Sequence, residues 1–279
     1  MLRNKITLFS VLVVAIGISV AAFLVVFKGE AQTQQNDNKL EAKVLRKGNS
    51  NDTQLTKKEL DDAATPIVDY DNPNAEPASS ARFAKNARYD GRRFGAIPSS
   101  FQSAESITFW EFPSDLPIAE SDLIVEGKVT DSAAYLSNDK GIVYSEFTFR
   151  VSDIVKADAN ITVNKNDSIV TERIGGRVKY PDGRMTRVTA LGQGSPMKGK
   201  KYLLFLTKVE RENYRILTGY ELQGNKVFAL DGSQLTRRPQ AEWVFGKHNG
   251  KDYRKFKDEL EKAKDDPANS NQNRRVLGP

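Results

Sequence analysis

The chain of 279 residues contains no cysteine and only one histidine, His248. The absence of cysteine excludes disulfides, thiolate zinc sites, redox pairs and cysteine nucleophiles. One histidine cannot build a multi-histidine metal centre, and the common serine mechanisms would have to recruit this one residue. The surrounding sequence, Lys-His-Asn-Gly, predicts a turn in which we expect the imidazole to be solvated. We therefore expect no metal site, no cofactor and no catalytic residues.

Complete motifs of known catalytic chemistry are also lacking. Residues 194–200 fit the first seven places of a phosphate-binding loop, but Lys201 stands where a serine or threonine is needed. The Ser-x-x-Lys pattern of serine acyl-enzymes occurs at Ser137/Lys140 and Ser195/Lys198, about as often as chance predicts at this serine and lysine content. The sequence therefore predicts a protein that is not an enzyme.

Long apolar runs are scarce, with the exception of residues 6–27, which carry no charge. As a helix these 22 residues would span about 33 Å, enough to cross a bilayer core of about 30 Å. Arg3 and Lys5 precede the run, so the charge rule keeps residues 1–5 in the cytoplasm and places the rest outside. We predict a single-pass membrane anchor; the alternative is a secretory signal cleaved near Ala31, for which the run is too long.

Residues 28–107 are polar and show no sustained period of 2 or 3.6, which predicts a disordered stalk. Its charges are segregated. Residues 59–76 hold six acidic and no basic residues, whereas residues 81–95 hold five basic residues, one acid and three aromatics. Such a basic and aromatic segment either remains a solvated linker or grips an anionic surface such as a glycan or lipid headgroups.

Residues 108–250 have the sequence pattern of a β-protein. Short segments alternate between apolar and polar residues, turns separate them, and no helix of ten residues lies between them, so we predict a small antiparallel OB-like barrel. Gly175-Gly176 predicts a bend within a strand, and Pro181-Asp182-Gly183 predicts a hairpin turn. Residues 202–206 are apolar on both faces, which predicts a strand covered on both sides.

The C-terminal part begins with residues 251–264, which place apolar side chains on one helical face and predict a short amphipathic helix that packs on the barrel. Its apolar residues are Tyr253, Phe256, Leu260 and Ala263. Residues 265–279 form a polar tail that we expect to be disordered.

Four stretches of this region carry a resemblance to known proteins. They are SDLIVEGKV at 121–129, YSEFTFRV at 144–151, Gly175-Gly176, and KGKKYLLFL at 198–206. Together they resemble a set of uncharacterised bacterial exported or membrane-anchored proteins with a small barrel, and the first stretch is similar to the first strand of netrin-like OB barrels. The resemblance covers about residues 115–232 and implies a fold and a compartment, with no catalytic residue.

A basic hairpin is the remaining candidate for a site. It contains the cations Arg173, Arg177, Lys179, Arg184 and Arg187. Since OB-type barrels hold extended ligands on a sheet face and long hairpins, this hairpin either binds an anionic or peptide ligand or protects an edge strand from aggregation. Nucleic acid is disfavoured because the barrel region is nearly neutral and is predicted to face away from the cytoplasm.

These observations predict a membrane-anchored extracytoplasmic binding or scaffolding module. An envelope protein or an anionic glycan is the expected partner, and the oligomeric state stays open. The alternatives are an envelope hydrolase that uses carboxylates or a Ser-Lys pair, and a purely structural spacer.

Overall fold

The computed structural model describes residues 65–73, 79–92, 114–190, 192–210, 213–232, 246–266 and 269. Their strands and helices, in chain order, are β1 (Ile67–Asp69), α1 (Ser80–Ala87), β2 (Leu123–Leu136), β3 (Val143–Ala157), β4 (Ser168–Lys179), β5 (Met185–Thr189), β6 (Lys201–Glu210), β7 (Asn213–Gln223), β8 (Lys226–Ala229) and α2 (Tyr253–Lys264). Neither helix in these ranges is long and apolar enough to cross a bilayer. The predicted anchor, residues 6–27, lies outside the described residues.

Five of the strands close into a small barrel. β4, β3, β2, β6 and β7 are hydrogen-bonded in that order, and β7 returns to pair with β4. The neighbours are antiparallel except for this closing pair, which is parallel and aligns Thr171 with Tyr214. Such a closed five-stranded barrel is compatible with an OB-like fold, and it confirms the prediction of a mainly β protein.

Successive side chains of each strand point to opposite faces, so every second residue points into the barrel interior. Inside it pack the apolar side chains of the main core, among them Leu123, Val125, Phe147, Phe149, Tyr202, Leu204 and Leu206. The neighbouring side chains of β6, Leu203 and Phe205, point outward and are also fully buried. Helix α2 covers them, which confirms that residues 202–206 form a strand buried on both faces.

Helix α2 is attached by apolar packing. Phe256 and Leu260 are fully buried against Ile124, Phe205 and Tyr220 on the outer side of β2, β6 and β7. Asp252 caps the helix by accepting hydrogen bonds from the backbone of its first turn. The predicted C-terminal helix is therefore confirmed, with its start two residues later than the sequence indicated.

A second, smaller sheet extends from one end of the barrel. β4 leaves the barrel pairing after Ile174 and continues between β1 and β5. The change takes place at Gly175, where φ is 118° and an added Cβ would lie 2.8 Å from the carbonyl oxygen of Val188. The predicted hairpin forms, with Gly183 at φ 81° in its turn and Arg177 paired with Arg187. The bend in β4 at Gly175 requires a residue without a Cβ, which explains the glycines at this point of the strand.

Two segments of the predicted stalk are structured, and here the sequence-based prediction of disorder was wrong. Residues 67–69 form β1, which pairs with β4 in parallel. Residues 80–87 form α1, whose N-terminus is capped by the Ser79 hydroxyl. In neither segment do apolar residues recur at the spacing of a strand or helix that packs on a core. Strand pairing with β4 orders the first segment, and ion pairs with the barrel order the second. Residues 28–64, 74–78 and 93–107 of the stalk lie outside the described residues.

Candidate functional site

The outer face of β3 and β4 carries two carboxylates side by side. Phe147 points into the core, so its neighbour Glu146 points outward, directly across from Glu172 in the register of the two strands. Their exposed fractions are 8% and 1%. Like charges directly opposite each other across two strands repel, so these carboxylates require cations nearby. Tyr144, Glu146 and Glu172 define what we call the β3–β4 face.

Helix α1 supplies the cations for Glu146. The Arg82 guanidinium donates from Nη1 to Oε1 at 2.5 Å and from Nη2 to Oε2 at 3.1 Å, which is a bidentate pair. Lys85 Nζ lies 2.6 Å from the same Oε1. Both oxygens of this largely buried carboxylate are thus used.

Glu172 is held in the same manner by the end of α1 and the turn that follows. Arg88 Nη2 donates to Oε2 at 2.8 Å, and the Tyr89 hydroxyl donates to Oε1 at 2.6 Å. Burial raises the pKa of Tyr89, and the adjacent carboxylate raises it further, so the phenol keeps the proton that it donates. Three cations and one phenol of a single segment therefore satisfy both glutamates.

Aromatic rings line the same contact. The rings of Tyr89 and Tyr144 stack with centroids 4.2 Å apart. The Arg82 Cζ lies 3.6 Å from the centroid of the Tyr135 ring, a cation–π contact at short range. The Tyr144 hydroxyl donates to Asn86 at 2.7 Å and accepts from Arg82 at 3.1 Å. The face is therefore both acidic and aromatic, and it is matched to arginine.

Two turns of the barrel extend this contact at either side. In the β2–β3 turn, Asn138 donates to the Phe83 carbonyl at 3.0 Å, and Asp139 accepts from the Gly91 backbone at 2.9 Å. At the β6–β7 turn, Asn213 accepts from Lys85 at 2.8 Å. Helix α1 thus lies across β3 and β4 between these two turns.

The pKa of Glu146 is set by the balance between burial and this pairing. Burial raises the pKa of the carboxyl group, but the hydrogen bonds and charges of Arg82 and Lys85 outweigh burial, and the net pKa lies below its usual value. Glu146 is consequently ionised at neutral pH. A carboxylate in that state serves to bind a cation and is poorly suited to act as a general acid.

The polarity of α1 is inverted relative to that of an ordinary surface helix. Its charged side chains Arg82 and Lys85 face the barrel, whereas Phe83 on the outward side is 59% exposed. Asn86 is the residue within the helix that is buried. Charge and hydrogen bonding hold this helix in place, with little contribution from apolar burial.

The five cations of the predicted hairpin site differ in how deeply they are buried. Lys179 and Arg184 are exposed, Arg177 is half-buried and donates from Nε to the Thr65 carbonyl at 2.9 Å, and Arg187 is 9% exposed. Arg184 pairs with Asp182 in the hairpin turn and lies over the Tyr180 ring. The exposed members available at this hairpin are therefore Lys179 and Arg184.

Arg173 lies inside the barrel, on the same side of β4 as Ile169. Its guanidinium forms a bidentate pair with Asp231 at 2.7 and 2.9 Å, and it also donates to the carbonyls of Gly194 and Leu217. The side chains of the pair are 3% and 0% exposed. Arg173 thus ties three separate segments of the chain together.

His248 is not solvated, and that prediction was wrong. The residue is 1% exposed and lies in the expected turn, with Nε2 3.0 Å from a carboxylate oxygen of Asp115. The Tyr220 and Phe256 rings contact it edge-on. The histidine therefore joins the turn before α2 to the segment that enters the barrel, through a contact across 133 positions that no local pattern indicates.

The other sequence motifs have structural partners in the part of the chain that is described. Ser137 donates to Asp139 at 2.6 Å, while Lys140 donates to the Tyr70 carbonyl at 2.8 Å. Lys198 pairs with Asp131 at 3.3 Å. Over the same ranges, no group of three or more histidine, aspartate or glutamate side chains is arranged to hold a metal ion.

The β3–β4 face was missed as a site at the sequence level, although two of its signals were visible. Residues 81–95 are basic and aromatic, and the polar side of β3 carries Tyr144 and Glu146. Their pairing joins residues 64 positions apart, which composition does not reveal. No family model matches the chain, and a search of curated proteins also finds no match.

Proposed function

We propose that this protein is a membrane-anchored, extracytoplasmic binding module, and that the β3–β4 face with its two flanking turns is the binding surface. One observation carries the proposal: the face already holds a polypeptide segment, α1, through paired carboxylates and stacked aromatic rings. The anchor and the compartment rest on the uncharged run at residues 6–27 and the basic residues before it.

An OB-like topology supports the location. Barrels of that type bind elongated ligands across the face of their second and third strands and with adjoining loops. β3 and β4 are the second and third strands of this barrel in chain order, and the β2–β3 and β6–β7 turns flank them. The interior, by contrast, is filled by apolar side chains and by Arg173, whose guanidinium is already paired with Asp231. A ligand therefore finds its polar partners on the outside.

The hydrolase alternative would use the same two carboxylates. A carboxylate pair in hydrolysis needs one member that stays protonated near neutral pH, which requires a raised pKa. Glu146 has a lowered pKa, and Glu172 receives hydrogen bonds from Arg88 and Tyr89 on its two oxygens. This arrangement favours binding over acid catalysis.

The test uses the full-length protein in intact cells. A C-terminal tag should be removed by protease added outside, because the barrel is extracytoplasmic.

A photoreactive residue at Thr148, on the same side of β3 as Glu146, should crosslink to a partner, and Glu146→Gln with Glu172→Gln should abolish that crosslink. A photoreactive residue at Asp182 in the exposed hairpin turn is the matched control. Crosslinking at Asp182 alone would move the site to the basic hairpin, and a protected tag would refute the extracytoplasmic placement.

A further inference from the structure

Helix α1 is held by a kind of contact that can exchange. Helix α2 buries Phe256 and Leu260 completely in an apolar cluster, and its removal would expose that cluster to water. The segment of α1 and the turn after it grips Glu146 and Glu172 through Arg82, Lys85 and Arg88, which water and counterions solvate well, and through the buried phenol of Tyr89, which also packs against Tyr144. Undocking this segment therefore costs paired charges and one stacked phenol, and a second segment that carries cations and a tyrosine can replace both.

The helix is also too short to persist without the barrel. It has eight residues, whereas isolated helices below about 12–15 residues are marginal in water. Folding of α1 and occupation of the face are therefore a single event. A free segment of the same pattern would fold in the same way on a vacant face.

The face specifies the chemistry of its occupant. Two adjacent carboxylates repel any phosphate or other anion. The bidentate Arg82–Glu146 pair selects a guanidinium, and so does the short contact of Arg82 with Tyr135 on the neighbouring strand β2. The occupant observed here places arginine and lysine one turn apart on α1, at 82 and 85, and arginine and tyrosine at 88 and 89, where the helix ends and turns. An arginine-bearing helical segment of a polypeptide meets all of these requirements.

We propose that the β3–β4 face is a binding site for a cationic, arginine-bearing helical segment of a partner protein, and that α1 is a built-in occupant displaced by that segment. This inference rests on the proposed function and names the class of ligand. As part of the same chain, α1 acts as a competitor at an effective concentration of about 1 mM, so a partner segment must bind more tightly than α1 does.

The probe is a fluorescent peptide with the sequence of residues 79–92, added to three full-length proteins. One is unchanged, the second carries Arg82→Gln and Arg88→Gln, and the third adds Glu146→Gln and Glu172→Gln to these. Loss of the competing helix should make the second protein bind the peptide about tenfold or more tightly than the unchanged chain. The third should lose that binding. A peptide with glutamine at 82, 85 and 88 is the control and should not bind.

A readout on the unchanged chain covers the case in which a variant fails to fold. Saturating peptide should increase hydrogen exchange at the α1 amides and leave hydrogen exchange in α2 unchanged.

The proposal is overturned if the second protein folds but does not bind the peptide, or if the third binds it equally well. It is also overturned if the unchanged chain forms a dimer that Arg82→Gln and Arg88→Gln abolish, because the occupant would then be a second copy. A crosslinked partner at Thr148 together with a failed peptide test would retain the binding module and reject the cationic ligand.

Discussion

At the scale of single residues, the Arg173–Asp231 pair illustrates a buried charge that must keep its partner. Asp231 accepts hydrogen bonds from Arg173, Thr218 and the Gly194 backbone. Asp231→Ala leaves a guanidinium that is 3% exposed without its carboxylate, so the free energy of unfolding should fall by about 3–5 kcal/mol. Urea denaturation followed by circular dichroism measures this loss.

Two variants make that prediction specific. Lys198→Ala removes one partner of an ion pair whose side chains are 53% and 67% exposed, and it should change stability by no more than about 1 kcal/mol. Arg173→Met with Asp231→Leu leaves no charge buried, and it should be milder than Asp231→Ala alone. Equal losses for the exposed and the buried pair would contradict the structural role of Arg173.

Glu146 links the docking of α1 to pH. Its folded pKa lies below the unfolded value of 4.5, so its contribution is fully present above about pH 4.5 and is lost as the pH falls through the folded pKa. We expect unchanged protein to exceed Glu146→Gln in unfolding free energy at pH 7, and we expect this difference to shrink below pH 4.5. Urea titrations of both proteins from pH 7 to about pH 3 measure it. A difference that is independent of pH would show that Glu146 is not the ionised partner of Arg82 and Lys85.

At the scale of elements, the two helices differ in what attaches them to the barrel. Leu260 of α2 is fully buried, so Leu260→Ala should lower the free energy of unfolding by about 2–5 kcal/mol. Phe83 of α1 is 59% exposed, and Phe83→Ala should change it by less than about 0.5 kcal/mol. Denaturation curves of the two variants provide a matched comparison. A large loss for Phe83→Ala would indicate an apolar contact that the α1 contacts above do not include.

The strands and α2 were predictable because their signals are local. Period-2 alternation indicated β2 and β3, the Pro-Asp-Gly turn indicated the β4–β5 hairpin, and the apolar stripe of residues 251–264 indicated α2. Each of these patterns lies within about 15 residues of chain. Solvent and core impose them directly, so the sequence carries them without reference to the rest of the fold.

Helix α1, β1 and the candidate site could not be predicted in this way. α1 buries polar side chains and exposes Phe83, so its apolar pattern points in the opposite direction from that of a core helix. Arg82 reaches Glu146 across 64 positions, and Arg173 reaches Asp231 across 58. Contacts of this kind depend on the pairing of strands and segments that lie far apart in the sequence, which a local pattern does not record.

At the scale of the whole molecule, the barrel has two covered outer faces, one covered through apolar packing and the other through ion pairs and hydrogen bonds. The face on β2, β6 and β7 is apolar and is sealed by α2. The β3–β4 face is acidic and aromatic and is occupied by a basic segment that precedes the barrel in the chain. The first cover stabilises the fold, and the second reserves a binding surface for an extracytoplasmic partner in the function we propose.

The measurement that tests this account most directly is hydrogen exchange of the full-length protein at about 0.05 M and about 1 M salt. Salt favours separated charges over paired ones, so protection of the α1 amides should fall by about threefold or more, while α2 keeps its protection. If α1 keeps its protection at high salt, or loses it only together with α2, the helix is a permanent part of the fold and the β3–β4 face is not an exchangeable site.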